Sequence, residues 1–428
     1  MRVGHAHRRY VPHVRGHLCR ASRAVAAIGA FAAGASAQAT DRRPARDDDP
    51  PSLDLAINHV GLSIGNSRRH TGLRFNWRDE GVSRVNGINS TFWMPGDSPR
   101  GEINGLSLGL IAPGAARLNG ITAGLGGIVA GTSLTGVAVG GVAVLSHGRI
   151  AGLTTGGLVV TADGSISGIT TGAIAVMSRG EIKGLTVAGA SVVASGGARG
   201  ITLAGLAAVI QQRLSGVAFG GLAVVTEGPL KGIAASGLGI AARGDLSGLS
   251  LSGLATFSSG RIRGAQASGL AVVAEKDVSG LTAGGIAVVA SGDISGITSA
   301  GAAVISRGSI RGITAAGLGV VADGDVRWLT LSGGTLTGTG DASGLMVGGY
   351  RVRSPRVTGV AVSALQVRAI ELRGIGIGAH TDVRNQRGLT IGVYNDAREL
   401  HGVQIGLLNR ARNNPNGTRL LPLVNAHF

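Results

Sequence analysis

The chain has 428 residues, of which 76 are glycine and 11 proline, with 3% aromatic residues, 15% charged residues and a formal net charge of +17. Glycine this abundant is typical of collagen or of disordered chains, but the G-X-Y triplet is absent and proline is scarce, which excludes both. Because few aromatic residues accompany the arginines, the composition also argues against a nucleic-acid-binding protein.

Residues 1–39 are predicted to be an export signal. A basic stretch up to Arg23 precedes an apolar run from Ala24 to Ala35, and two A-x-A cleavage sites lie at its end. The alternative is a short amphipathic arm that stays attached. Cleavage would remove Cys19, the only cysteine, so the mature chain would have no disulfide, thiolate metal site or cysteine nucleophile.

Two segments of different character come before the regular repeat. Residues 40–52 combine dense mixed charge with three prolines, which predicts a disordered linker. Residues 53–117 carry an irregular repeat, whose glycines are 15 or 18 residues apart, together with Trp77 and Trp93. Bulkier, atypical units of this kind are expected to cap the open end of a stacked array.

Residues 118–342 repeat every sixteen residues. The unit reads I-S-G-L-T-x-G-G-L-A-V-V-A-x-G-D, and the copy Ile294–Ser309 defines positions 1 to 16 of the unit. Glycine occupies position 3 without interruption from Gly120 to Gly312, and a second glycine row occupies position 8 from Gly141 to Gly349 with Ala173 as its one exception. Such a period indicates that one small unit is stacked on copies of itself.

The apolar runs of the unit predict short strands, because each run has only four or five residues, is β-branched and is bounded by glycine. Two strands and two glycine corners make one coil, and neighbouring coils are expected to pair as parallel strands about 4.8 Å apart. The predicted fold is therefore all-β: a single elongated β-solenoid of sixteen-residue coils, with irregular capping repeats at 53–117 and 343–428.

Two other architectures remain open at this stage. In an outer-membrane β-barrel each unit would supply one transmembrane strand. Such a barrel should repeat every two units and needs aromatic girdles, whereas residues 118–327 contain only Phe219 and Phe257 as aromatics. A helical membrane span fits the uncharged stretch between Arg117 and Arg149 by length, although the unbroken register favours two further coils.

Four apolar columns are predicted to form the core of the solenoid, at positions 1, 4, 9 and 11. Their representatives in one unit are Ile166, Ile169, Ile174 and Val176. Stacked coils would bring equivalent side chains into contact along the interior.

Threonine recurs at position 5, for example at Thr154, Thr170 and Thr186, and stacking would align these side chains into a ladder. Such a ladder stabilises parallel strands through cross-strand contacts. The alternative is ice or crystal-lattice binding, which needs a second parallel rank. That rank, at Thr155 and Thr171, soon gives way to apolar residues.

Three further columns bear on function. Position 12, as in Leu145, Met177 and Val193, is predicted to form an outward apolar stripe for a partner or membrane if side chains alternate, or to point inward if the strand bends. Position 14 varies between acids, bases and polar residues and is interpreted as a solvated edge, or as a recognition edge. Aspartates at position 16, such as Asp277 and Asp293, could suggest calcium, but the G-G-x-G-x-D pattern is missing.

The chain is predicted not to be an enzyme and to use no cofactor or metal. Its histidines beyond the signal peptide are scattered without metal-ligand spacing. They are His59, His70, His147, His380, His401 and His427. The sequence contains no serine elbow with triad partners and no phosphate-binding loop with its lysine.

Residues 343–428 carry 11 basic and 4 acidic side chains. On an exported protein, this basic region is expected to bind anionic lipid headgroups or acidic polysaccharide of the envelope. The alternative is a solvated basic surface. The expected function is that of a structural or adhesive envelope protein. A membrane pore is the main alternative, followed by an ice-binding or polysaccharide-acting solenoid.

The last units read RGLTIGVYN at Arg387–Asn395 and HGVQIGLLN at His401–Asn409, and the chain ends in LPLVNAHF. They resemble bacterial surface-repeat proteins with units of the form G-V-x-I-G-L-x-N. The resemblance implies a location in the envelope, outer membrane or surface of a Gram-negative-like bacterium, and it implies no activity. Other residues replace the asparagine in the central array, and Asn395, Asn409 and Asn425 are expected to cap turns.

Overall fold

The computed structural model describes residues 52–96 and 99–428. The predicted signal peptide at 1–39 and residues 40–51 of the predicted linker lie outside these ranges. Ser52, the last residue of that predicted linker, already begins the first strand. The regular secondary structure of the described residues is β-strand throughout, and the chain forms a β-solenoid of about 20 coils. The predicted fold class is therefore confirmed.

Each regular coil contains one long and one short strand. The N-terminal strands are Ser52–Ile57, Val60–Gly65, Arg69–Asn76, Arg84–Thr91, Glu102–Gly109, Gly114–Gly124 and Gly127–Gly140. The long strands of the array are Arg149–Gly156, Ile166–Gly172, Ile182–Ala188, Ala198–Ala204, Leu214–Gly220, Leu230–Ser236, Leu246–Ser252, Ile262–Ser268, Val278–Gly284, Ile294–Ala300, Ile310–Ala316, Val326–Ser332 and Asp341–Gly348. The short strands are Ala143–Ser146, Val159–Ala162, Ala175–Ser178, Ser191–Ala194, Ala207–Ile210, Ala223–Thr226, Gly239–Ala242, Ala255–Ser258, Ala271–Ala274, Ala287–Ala290, Ala303–Ser306, Gly319–Ala322 and Thr335–Gly338. The C-terminal strands are Arg351–Ser363, Gln366–Ile377, His380–Ala411 and Leu420–His427.

Successive coils pair in parallel and in register. Ile294 pairs with Ile310 on the long strands, and Val304 pairs with Val320 on the short strands. Of the architectures that the repeat left open, the structure has the solenoid. Residues 117–149 form strands of two coils, and within the described ranges no helix is long and apolar enough to cross a bilayer.

Both ends of the solenoid are closed by an antiparallel strand. Ser52–Ile57 pairs with Val60–Gly65 in a hairpin, and Leu420–His427 runs antiparallel to the last coil. The coil also shortens toward the C-terminus, because Gly344 stacks on a glycine 15 residues later and Gly374 on a glycine 14 residues later. The terminal coils are thus irregular, as predicted.

The interior is narrow and is formed by positions 1, 5, 7, 11 and 13. In one coil these buried residues are Ile294, Thr298, Ala300, Val304 and Ser306. Large aliphatic side chains occupy mainly positions 1 and 11, with Ile210 at position 13 as an exception, so the core columns predicted there are confirmed. The other three positions hold mainly small residues or threonine, because the space between the two strands admits little more.

The core columns predicted at positions 4 and 9 are wrong. Ile169 is 45% exposed and Ile174 is 48% exposed. Side chains alternate along a strand, so Ile166 and Thr170, four residues apart, both point inward, with Gly168 between them at a φ of 106°. Position 4 lies an odd number of residues from position 1 and therefore faces outward, and the turn at the position-8 glycine places position 9 on an outer corner.

The two glycine rows are required by the close approach of neighbouring coils. At position 3, Gly232 has a φ of 121°, and a Cβ there would overlap the carbonyl oxygen of Gly216 in the preceding coil. At position 8, a Cβ on Gly221 would overlap the carbonyl oxygen of Gly205. A side chain in either row requires the backbone to adjust locally, as it does at the two exceptions, Ala173 and Trp328.

The end coils have polar interiors. Near the N-terminus, the buried Arg74 guanidinium donates hydrogen bonds to Asp79 at 2.8 Å and to Asn89 at 2.7 Å. Burial lowers the pKa of Arg74, and the neighbouring Asp79 carboxylate opposes that change. Near the C-terminus, Asn395 donates to the side-chain oxygen of Asn409 at 2.7 Å, and Asn409 donates to a backbone carbonyl three residues before it at 3.0 Å. The contact of Asn409 is local, whereas Asn395 bonds to the next coil, so the turn-capping role expected of these asparagines stays a prediction.

Candidate functional surface

The outer surface of the regular coils is divided into a charged part and an uncharged part. From Ile121 to Gly338, positions 4 to 13 of fourteen consecutive coils contain no aspartate, glutamate, lysine or arginine. We call these ten positions the apolar side. Positions 14 to 16 and 1 to 3 hold every charged side chain of these coils, and we call them the charged edge.

The apolar side carries two ridges of exposed aliphatic side chains. One ridge is position 4, with Ile121, Val137, Leu153, Ile169, Ile201, Ile233, Leu281, Ile297 and Ile313 between 37% and 53% exposed. The other ridge is position 9, with Val142, Leu158, Ile174, Leu206, Leu222, Leu238, Leu254, Leu270, Ile286 and Leu318 between 43% and 70% exposed. Both ridges consist of residues that the sequence pattern assigned to the core.

Position 12 adds a third exposed row. Leu145, Ile305 and Val321 are 38% to 41% exposed, and the remaining members are partly exposed. The short strands alternate strictly, with positions 11 and 13 inside and positions 10 and 12 outside. Of the two orientations that the sequence left open for position 12, the structure has the outward one, and the alternative in which both valines point inward is wrong.

A shallow groove runs between the two ridges over about five coils. It extends from Phe219 to Gly285, and Ala235, Ala267 and Ala283 at position 6 form part of its floor. Its volume is about 590 Å³. The groove is lined by alanine, glycine, serine and a few larger apolar residues. A partner would therefore contact it through van der Waals packing and not through ion pairs.

The backbone of the apolar side is saturated with hydrogen bonds between coils. At the position-9 corner, the amides of Leu158 and Val159 both donate to the carbonyl oxygen of Val142, at 2.7 Å and 3.2 Å. The amide of Gly157 donates to Gly140 at 2.8 Å. The corner therefore presents side-chain carbon with its amide donors already bonded.

Ion pairs between neighbouring coils run along the charged edge. Arg179 pairs with Asp163 at 3.2 Å, and Arg243 pairs with Glu227 at 3.1 Å. All four side chains are partly or largely exposed, so each pair contributes little to stability. Alternating charge along this edge keeps it in water, as the solvated-edge interpretation expects.

The aspartates at position 16 accept hydrogen bonds from backbone amides of the following coil. Asp277 accepts a hydrogen bond from the amide of Asp293 at 3.1 Å, and Asp293 accepts one from the amide of Ser309 at 2.8 Å. The same contact to Asp325, from the amide of Asp341, lowers the pKa of the Asp325 carboxyl, and the side chain of its neighbour Arg327 lowers it further. In the described ranges no three histidine, cysteine or acidic side chains are grouped to hold a metal ion.

The threonine ladder at position 5 lies inside the solenoid. Thr154, Thr170 and Thr186 are at most 1% exposed, and their hydroxyl oxygens have no hydrogen-bond partner in the described part of the chain. The outward rank at position 6 does form a contact, because Thr171 donates to Thr155 at 3.1 Å. An interior ladder cannot contact ice, so the lattice-binding alternative based on this column fails.

The structure places the predicted histidines in unrelated surroundings. His70 is buried and contacts the carbonyl oxygen of Gly61 at 2.9 Å, and His147 is exposed on the charged edge. At the C-terminal end, His401 and His427 lie with ring centroids 5.9 Å apart. These contacts belong to the closure of the ends.

Exposed aromatic residues mark both ends of the apolar side. At the N-terminal end, Trp77 stacks on Phe92 and Trp93, with ring centroids 5.2 and 6.1 Å apart. Near the C-terminal end, Trp328 replaces glycine at position 3, with a φ of 89° and an exposed fraction of 74%. A bulky residue in this strained backbone region lies at the boundary between the charged edge and the apolar side, and strain of this kind is often retained at functional sites.

Comparison of the chain with protein-family models, curated proteins and solved structures gives no match.

Proposed function

We propose that the protein is an exported, non-enzymatic component of a bacterial cell envelope with a structural or adhesive role. The apolar side carries this proposal. A solenoid repeats the same surface from coil to coil, so it is suited to contact an extended object along its whole length. Large exposed apolar areas of this kind mark interaction surfaces. The resemblance of the C-terminal units to bacterial surface repeats supports the envelope as the location.

The basic region at 343–428 supports attachment to anionic groups of the envelope, carried by lipid headgroups or acidic polysaccharide. Some of its arginines are paired, as in Arg356 with Asp341 at 2.7 Å. Other exposed arginines have no carboxylate within 4 Å among the described residues, namely Arg353, Arg384, Arg387, Arg398 and Arg410. These free guanidinium groups are available to anions.

Cell fractionation in a Gram-negative host tests the proposed location. We expect a tagged full-length chain to be recovered in the envelope fraction, with an N-terminus beginning close to residue 38 or 40 on sequencing. A control chain lacking residues 1–39 should stay in the cytoplasm. Recovery of the full-length chain in the cytoplasm with an intact N-terminus would contradict the proposal.

A further inference from the structure

We propose that the apolar side is a lipid-docking surface: the solenoid lies in the plane of a membrane leaflet, with the position-9 ridge inserted deepest and the charged edge in water. The inference rests on the proposed envelope location and names the lipid surface as the partner there. It follows from the size, shape, chemistry and boundaries of the apolar side.

The size of the apolar side is too large for a surface that faces water. Fourteen coils spaced by about 4.8 Å extend over roughly 65 Å, and two strand-sized faces of about 15 Å width give roughly 2,000 Å² in total. The largest apolar patch of an ordinary monomer is about 300 to 600 Å². Because none of these positions holds a charged residue, we expect the surface to be buried against a partner.

The shape of this surface favours a fluid cover over a protein partner. Position 9 is an outer corner, with positions 4 to 7 on one side and positions 10 to 13 on the other, so the apolar side is convex about that corner, and only its face at positions 4 to 7 carries the shallow groove. A second copy of the chain would cover one of the two faces and leave the other exposed. Acyl chains can surround a convex ridge on both faces.

The chemistry of the surface points in the same direction. A protein interface carries about one hydrogen bond per 100 to 200 Å², so an interface of this size would need roughly ten or more. The apolar side offers few groups for them, because its corner amides are bonded between coils and the outward Thr171 already donates to Thr155. Backbone groups that are paired internally are what hydrocarbon requires of any structure that enters it.

The boundaries of the apolar side match a membrane interface. Trp328 lies at position 3, between the exposed Arg327 of the charged edge and Leu329 of the position-4 ridge. Tryptophan is enriched at the level of lipid headgroups, where an apolar ring meets water. Farther along the chain, Arg351 and Arg353 replace apolar residues at positions 10 and 12, so the basic region begins where the apolar side ends. Arginine at this level can meet lipid phosphates.

Vesicle flotation tests the inference. The purified full chain is mixed with vesicles of phosphatidylcholine, with and without phosphatidylglycerol. We expect flotation with both compositions, and we expect it to persist at high salt, because apolar insertion is not screened by ions. Flotation that needs phosphatidylglycerol and is abolished by salt would overturn the proposal and assign binding to the basic region alone.

A matched pair of triple variants locates the surface. Leu206→Asp, Leu222→Asp and Leu238→Asp place three carboxylates on the position-9 ridge, where the leucines are 46% to 50% exposed. The control carries Ser195→Asp, Gln211→Asp and Ser259→Asp at position 14, where Asp163 and Asp323 occur naturally. Both variants change the net charge equally, and circular dichroism checks that both are folded.

We expect the ridge variant to lose at least about tenfold in vesicle affinity and the control to bind as the wild type does. Equal binding by both variants would overturn the inference. A wild-type chain that sedimentation shows to be a dimer, and that does not float, would assign the surface to a second copy instead. Localisation and flotation fail independently: envelope recovery without flotation refutes only the lipid surface, and flotation with cytoplasmic retention refutes only the proposed function.

Discussion

Replacing Gly232 by alanine is expected to destabilise the solenoid, although the change adds a single methyl group. Gly232 lies at position 3 in the middle of the array, with a φ of 121°. A Cβ there would overlap the carbonyl oxygen of Gly216 and would lie 3.0 Å from the carbonyl carbon. Both atoms belong to the backbone of the preceding coil, so no side chain can move to make room.

The expected loss of stability has two parts. A residue with a Cβ pays roughly 1 to 2 kcal/mol for the left-handed backbone region. Separating two coils at this rung weakens one hydrogen bond, worth about 1 kcal/mol. The alanine also reduces the conformational freedom of the unfolded chain, which stabilises the folded state by about 0.4 to 1 kcal/mol. We therefore expect Gly232→Ala to lower the free energy of unfolding by about 2 kcal/mol.

Gly239→Ala is the matched control, seven residues away in the same coil. Gly239 occupies position 10, where most other coils have alanine, and its backbone does not have a positive φ. The nearest atom to an added Cβ is the carbonyl oxygen of Ala255 at 3.3 Å, a contact that a slight adjustment relieves. Here only the effect on the unfolded chain remains, and we expect stabilisation by about 0.4 to 1 kcal/mol.

Urea denaturation followed by far-ultraviolet circular dichroism measures both variants against the wild type. The two substitutions add the same group to the same coil and are expected to shift the midpoint in opposite directions. A shift of the same sign in both, or an unchanged midpoint for Gly232→Ala, would refute the account of why glycine occupies position 3.

Three other predictions concern the side chains at positions 1, 5, 9 and 16. Leu230 is fully buried, whereas Leu222 is 46% exposed. Thermal unfolding should therefore show that the free energy of unfolding falls by about 2 to 5 kcal/mol in Leu230→Ala and by about 1 kcal/mol in Leu222→Ala. Equal losses would mean that position 9 is a core column after all. Thr298 is 1% exposed and its hydroxyl has no partner in the described residues, so Thr298→Val, which keeps the shape, should raise the free energy of unfolding by about 1 kcal/mol in urea, and a lower stability would show that the hydroxyl is satisfied in solution. An amide hydrogen bond lowers the pKa of Asp325 in the folded state. The carboxylate therefore stabilises the fold above the unfolded-state pKa of about 3.9, and this stabilisation is lost as the pH falls through the folded-state pKa. Between about pH 5 and pH 2 the wild type should lose more free energy of unfolding than Asp325→Asn, and parallel curves of stability against pH would contradict this role.

Part of the candidate surface could be read from the sequence. The sequence limited position 12 to two orientations, outward if the short strand alternates and inward if it bends, and the structure shows alternation around Val304 and Val320. The absence of charge from ten consecutive positions is also visible in the sequence. Its meaning was hidden because the exposed ridges at positions 4 and 9 consist of leucine and isoleucine, which are ordinarily core residues.

The sequence by itself determined the architecture. An unbroken sixteen-residue period with two glycine rows favours stacked coils of short strands, and in-register stacking then places each column in contact with itself. The tertiary structure decided which columns face inward. Side chains alternate along a strand, so positions 1 and 4, which are both aliphatic in the sequence, cannot both face the interior. The structure places Ile166 and Thr170 inside and Ile169 outside, and only the packing of whole coils against one another settles which of the two columns fills the interior.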